Sequence, residues 1–187
     1  VRQRTTRFIS QYLALPGDCE GLALRKFCRA YRALVRAKVG LFSVSPDADG
    51  VRRATTLRTY RNYAKLAESD SAIPSRLLAV ARGVSAVGKG HVAMRLVEAL
   101  GAVRVRSDVE RKRLFGEQAQ ANEGRLQAGI YDENASVATY QRLHQLAATI
   151  LRAGFPVVLD ATYLKQEQRK AAAEVANDTG VPFLILD

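Results

Sequence analysis

Only two cysteines and two histidines occur among 187 residues, and no run of eighteen uncharged apolar residues appears anywhere. A bilayer-crossing helix needs a stretch of about that length, so a helical membrane span is excluded. The start, Val1-Arg-Gln-Arg-Thr-Thr6, lacks the apolar core of a signal peptide and has no initiator Met. A processed start or an internal piece of a longer chain is expected. Cys19 and Cys28 stand nine residues apart in a region of helical pattern, too far along a helix for a bridge. They are expected to be reduced thiols with a packing role in a cytoplasmic protein. His91 and His144 have no second His or Cys at ligand spacing, which excludes a metal site built on histidine.

Acidic residues are scarce relative to basic ones, and the net charge is +11. Most of the excess lies before residue 75, where fourteen Lys and Arg meet six Asp and Glu. Such an excess fits a solvated helical face, and it also suits nucleic acid or another anionic partner. The aromatics Tyr12, Phe27, Tyr31, Tyr60 and Tyr63 fall at helical spacings that suit packing better than base stacking on a sheet. Nucleic acid is therefore a possible partner but not the favoured one.

The first 74 residues read as helices without strands. Thr5 to Leu15 is a short periodic stretch stopped by Pro16-Gly17, and Asp18 is placed to cap the segment Leu22 to Val39. That segment sets Leu24, Phe27, Cys28, Tyr31, Leu34 and Val35 on one side, with Arg25, Arg29, Arg32 and Arg36 on the other. A third helix spans roughly Arg52 to Leu66. From Ser75 strands alternate with helices: strands at Leu77–Ala81, Val103–Val105, Val157–Leu159 and Phe183–Leu186, and helices at His91–Leu100, Asp108–Phe115, Ser136–Ala153 and Lys165–Asp178. Gly116 to Asp132, polar and glycine-containing, reads as a mobile loop. The alternation predicts an α/β fold, a doubly wound, mostly parallel sheet of about four strands, with ligands at the carboxyl ends of the strands.

The chemistry gathers where those strands end. Gly83-Val-Ser-Ala-Val-Gly-Lys-Gly90 is a Gly-x-x-x-x-Gly-Lys phosphate loop (Walker A) directly after the first apolar strand. In such a loop, backbone N–H groups wrap phosphates and the Lys neutralises their charge, while the next helix aims its N-terminus at the anion. Gly83, Ser85, Ala86, Val87, Gly88, Lys89, Gly90 and His91 are the candidate nucleotide-binding residues, for ATP with Mg²⁺. Gly90 stands where the full motif has a Ser or Thr hydroxyl for Mg²⁺. Asp160 ends the second buried strand and can sit beside the metal, with Thr162 adding a hydroxyl; a strand-terminal cap is the alternative. Asp108 can accept a proton from a substrate hydroxyl, or cap the helix that begins there. Arg106 and Arg111 flank Asp108 and can bind a substrate phosphate or carboxylate, or remain solvated.

Three segments carry a resemblance: Leu77 to Lys89, Leu100 to Gly116 with its Ser107-Asp-Val-Glu-Arg-Lys-Arg113 run, and Phe155 to Thr162. They resemble the P-loop kinase half of bacterial two-domain proteins. In those, an aminoglycoside-phosphotransferase-like domain precedes an AAA-family, gluconate-kinase-like domain also related to polynucleotide kinases and zeta toxins. Asp18 to Lys38 resembles the last helices of that first domain. The resemblance implies a helical segment over 1–74 and, over 75–187, a kinase-like nucleotide-binding domain of the P-loop NTPase fold that is part of a longer protein. It also implies that Lys89 binds ATP phosphates, that Asp108 is the substrate-side base, and that Asp160 assists at the metal. The implied activity is phosphoryl transfer from ATP to a small hydroxyl compound. A catalytically weak or inactive ATP-binding regulatory module and a polynucleotide-end kinase or nucleic-acid binder are the alternatives.

Overall fold

A computed structural model describes residues 2–14, 18–71, 76–84, 89–121 and 133–187, with the side chains of 2–4, 6, 14, 70, 71, 89 and 117–121 outside the description. The chain divides into two compact units, one of residues 1–20 with 75–187 and the other of residues 21–74. The first unit holds α1 (Arg2–Ala14), β1 (Leu78–Ala81), α4 (Lys89–Leu100), β2 (Val103–Arg106), α5 (Ser107–Ala121), α6 (Glu133–Arg152), β3 (Val157–Asp160), α7 (Gln166–Asp178) and β4 (Phe183–Leu186). The second holds α2 (Leu22–Phe42) and α3 (Gly50–Ser71).

The four strands form one parallel sheet in the order β2-β3-β1-β4. The chain passes from β1 through α4 to the far edge at β2, returns to insert β3 between them, then crosses β1 to lay down β4. Strands covered on both faces carry no alternation of polarity, and all of β1 and the first three residues of β3 are buried. Ala79 and its register partner Val158 pack with Ala93, Val97 and Ala102, so this set of alternate residues faces α4. Alternation along the strands turns Leu78, Val80, Val157 and Leu159 to the opposite face. There α6 lies along β2 and β3 and α7 reaches β1. Leu143, Ala147, Ile150 and Leu151 of α6 are fully buried, as the spacing of its apolar residues requires.

Helix α1, expected to belong with the helical segment 1–74, packs instead on α4 and β2. Its buried face explains the difference: Leu13 and Ser10 are covered, and the Arg104 backbone N–H on edge strand β2 donates to Ser10 Oγ at 3.4 Å. A helix that takes an edge-strand donor also blunts that edge. Arg7 pairs with Glu98 of α4. Cys19 is buried nearby, and burial, with the Glu110 charge second, pushes its thiol up to about 11. Cys28 is exposed, and both thiols are free.

In the second unit the structure corrects the sequence reading of α2. Leu24, Phe27, Cys28, Tyr31 and Leu34, expected to pack, are exposed, and the buried positions are Leu22, Ala33 and Ala37. α2 and α3 run along each other, and alanines four apart let two helices approach where bulky residues hold them off. Tyr12 of α1 and Tyr60 of α3 are exposed as well. The N-cap position of α2 falls on Gly21 rather than on Asp18. At α3 the cap is Asp49, whose Oδ1 accepts the Arg52 N–H at 2.7 Å. Helix α5 runs to Ala121, past the expected stop at Phe115, so the first residues of the segment 116–132, read from the sequence as a mobile loop, are helical; residues 122–132 lie outside the described residues.

Candidate functional site at the strand ends

β1 ends at Ala81 between β3 and β4, where successive connections leave in opposite directions. That switch point is where an open parallel sheet leaves a crevice for a ligand. Gly83 opens the loop there at φ 134°, a conformation L side chains rarely adopt, so glycine is required on backbone grounds. Its N–H donates to the Thr162 carbonyl at 3.0 Å, which ties the start of the phosphate loop to the end of β3. Ser85, Ala86, Val87 and Gly88 lie outside the described residues. Lys89 begins α4, so the helix N-terminus follows the loop directly, and His91 is exposed on its first turn.

Asp160 closes β3, and its Oδ2 accepts from Arg104 Nε at 3.0 Å and from Arg104 Nη2. Both side chains are mostly covered, Arg104 at 16% and Asp160 at 13% exposure. Register explains the meeting: Arg104 stands opposite Val158, so Arg104, Val158 and Asp160 project to the α4 face and the pair is diagonal across adjacent strands. Gly90 borders it. A Cβ at Gly90 would lie 2.8 Å from Arg104 Nη2 and 3.9 Å from Asp160 Oδ2. For Mg²⁺ the fold type calls for a hydroxyl at position 90 and an available carboxylate at 160. The first is absent and the second is occupied by a guanidinium, so the residues present do not fit a directly held Mg²⁺. Asp160, expected at the metal, is an ion-pair partner here. Among the described residues no group of three or more His, Cys, Asp or Glu side chains is gathered for a metal.

At the end of β2, Asp108 lies in the first turn of α5, one residue inside the helix rather than at its cap. Its Oδ2 accepts from Arg106 Nη2 at 2.6 Å, and both side chains are about half exposed. Arg111 points elsewhere, with Nη2 3.4 Å from Ser136 Oγ of α6. The three expected substrate-side residues are thus split, Arg106 with Asp108 and Arg111 toward α6.

Behind Thr162 stands a cluster that the sequence reading does not single out. Tyr163 is fully buried with φ 45°, a strained value for a side chain of that size. Hydrogen bonds on its backbone and on the next carbonyl hold it: its N–H donates to the Tyr140 hydroxyl at 3.2 Å, while Arg169 Nη1 donates to the carbonyls of Tyr163 at 2.8 Å and Leu164 at 2.7 Å. The Tyr140 hydroxyl also meets Thr162 Oγ1 at 3.0 Å. The backbone carrying Thr162 is therefore fixed from α6 and α7, and Gly83 with it. A signal was available in Asp-x-Thr-Tyr after an apolar strand, but its partners lie on helices whose packing the sequence does not reveal. Tyr140 also lines an open cleft of about 660 Å³ between α6 and α7, with Glu133, His144, Lys165 and Gln168.

Burial holds His144 below its usual value, beside the Tyr163 hydroxyl at 3.4 Å. The unfolded chain then takes up this proton at higher pH than the folded one. Its contribution to stability is complete above about pH 6.5 and is lost as pH falls below that value. The urea midpoint is expected to drop between about pH 7 and pH 5.5, and to drop less in His144→Gln. Equal drops in the two proteins would remove His144 from this account.

The parallel sheet and the loop motif together define an α/β domain of the P-loop type. The AAA domain family model matches residues 78–187, and the chain belongs to that family. Uncharacterized proteins of Mycobacterium tuberculosis and Mycobacterium bovis are each 32% identical over 178 residues, covering 92% of this chain and 34% of theirs. The chain thus spans about a third of the length of these relatives. Among solved structures, the Mycobacterium tuberculosis APS kinase CysC, in complex with AMPPNP and APS, aligns with TM-score 0.42 at 24% identity over 60% of this chain and 61% of that one. Among the described residues no helix is long and apolar enough to cross a membrane.

Proposed function

We propose that residues 75–187 bind ATP and transfer a phosphoryl group to a hydroxyl of a small molecule. One observation carries the reading: the sequence Gly-x-x-x-x-Gly-Lys lies between the end of central parallel strand β1, at the switch point, and the first residue of α4. There the loop N–H groups and Lys89 take the phosphates. Asp108, at the end of β2, receives the proton of the acceptor hydroxyl, and Arg106 orients its carboxylate. Asp160 acts through Arg104 in this reading and not through a metal. By the resemblance of Asp18 to Lys38, the helical segment before residue 75 is the end of an aminoglycoside-phosphotransferase-like domain of a longer protein.

The test is equilibrium binding of a fluorescent ATP analogue. Lys89→Ala is expected to weaken binding at least about tenfold, as loss of a charge-assisted phosphate contact should, with an unchanged urea midpoint. Unaltered affinity in that variant sinks the nucleotide reading. A second reading, an ATP-binding module without transfer, is favoured by Gly90 and by the engaged Asp160 carboxylate. ATP bound with no phosphoryl transfer to any of a panel of hydroxyl compounds would select it.

A further inference from the structure

We infer that the Arg104 guanidinium takes the place of the divalent cation in this phosphate site, so that the protein binds the nucleotide without requiring a metal. The inference rests on the nucleotide-binding reading and adds the chemistry of its cation.

Three features converge on one point. The first is Gly90, which withholds the hydroxyl that the complete motif offers a metal. The second is space. A side chain at position 90 would begin 2.8 Å from Arg104 Nη2 and 3.7 Å from Arg104 Cζ, so the guanidinium holds its present place only beside a glycine. The third is charge: Asp160, the carboxylate at the end of the neighbouring strand, binds Arg104 through both Nε and Nη2. A small residue at 90, a cation filling the volume it leaves, and a carboxylate holding that cation form a consistent set.

The chemistry of arginine suits the exchange. A guanidinium is always protonated, carries five N–H donors in a planar fork, and is more weakly hydrated than an ammonium. It can hold a carboxylate along one edge and present other donors to phosphate oxygens, which a point charge does less selectively. Its placement is rigid at both ends. The Arg104 N–H is held by Ser10 Oγ of α1, and the head group is held by Asp160. The side chain is largely covered, so this is not one of the exposed pairs that contribute little and fluctuate. Arg104 and Asp160 neutralise each other, which leaves Lys89 and the α4 N-terminus as the net positive field; affinity is expected to be modest but insensitive to metal.

The experiment titrates the full chain with a fluorescent ATP analogue in excess EDTA and in excess MgCl₂. The expected affinities agree within about threefold, Arg104→Ala weakens binding in EDTA at least about tenfold, and Arg104→Lys, which keeps the charge, loses less. The double variant Gly90→Ser with Arg104→Ala is expected to bind at least about tenfold more tightly with Mg²⁺ than without it. Urea midpoints of each variant separate loss of folding from loss of binding, and Arg104→Lys carries the comparison should Arg104→Ala not fold. Wild-type binding that appears only with Mg²⁺, or Arg104→Ala binding as tightly as wild type in EDTA, overturns the inference and leaves the nucleotide reading intact. No binding in either buffer overturns the nucleotide reading, and the inference with it.

Discussion

Asp108→Asn is expected to lower the rate of phosphoryl transfer by about 10²- to 10⁴-fold, the range supplied by a positioned general base. The substitution keeps the shape of the side chain and one oxygen to accept from Arg106, while removing the group that takes the proton. In phosphoryl transfer most of the barrier is lowered by positioning and by charge on the phosphate oxygens, so loss of the base leaves nucleotide binding in place. ATP affinity should therefore stay within about twofold of wild type, a loss in kcat without a loss of ground-state binding. The measurement is transfer of labelled γ-phosphate to the hydroxyl compound that the wild type accepts, with analogue binding run in parallel. Exposure of both side chains at the end of β2 makes them reachable by a substrate in solution. Full transfer activity in Asp108→Asn would return Asp108 to the role of a first-turn acid that stabilises the N-terminus of α5.

The strand ends were readable because each is announced locally. An apolar run followed by glycines marks β1 and its loop, and an apolar run closed by a carboxylate marks β3. Parallel order followed from alternation of strands and helices, and Phe183–Leu186 matches β4 to the residue. What escaped depends on pairing between distant segments. Arg104 meets Asp160 across 56 residues only because β3 inserts between β1 and β2, and a linear reading places Arg104 in an unremarkable basic stretch. Tyr140 reaches Thr162 and Tyr163 only once α6 lies over the end of β3. The misreading of α2 has a different origin. Helical period tells which residues share a face but not which face is covered, and in α2 alanines rather than aromatics lie inside. Similarly, Gly116 looked like a stop for α5, yet a helix tolerates an internal glycine at a cost of about 1 kcal/mol.

These dependencies place the site on a foundation that can be measured. Leu159→Ala is expected to destabilise the first unit by about 2–5 kcal/mol, the range for deleting a leucine side chain from a closed core. Leu159 has no exposure, stands in register with Val80 of β1 and Val105 of β2, and faces the side of the sheet where α6 packs. Helix and strands cannot both collapse into the void, so most of the cavity term remains. Ile185→Ala is the counterpart: its side chain is 40% exposed on β4, where about 1 kcal/mol or less is expected because little area leaves contact with protein. Urea unfolding of the two variants reads the contrast directly, and a loss below about 1 kcal/mol for Leu159→Ala would contradict a core centred on β3. The consequence reaches the nucleotide. β3 carries Asp160 to Arg104 and leads into Thr162, which holds Gly83, so a loosened strand weakens both the ion pair beside Gly90 and the bond that ties the start of the phosphate loop. Leu159→Ala is therefore expected to bind the ATP analogue less tightly even where it remains folded, whereas Ile185→Ala binds it as wild type does.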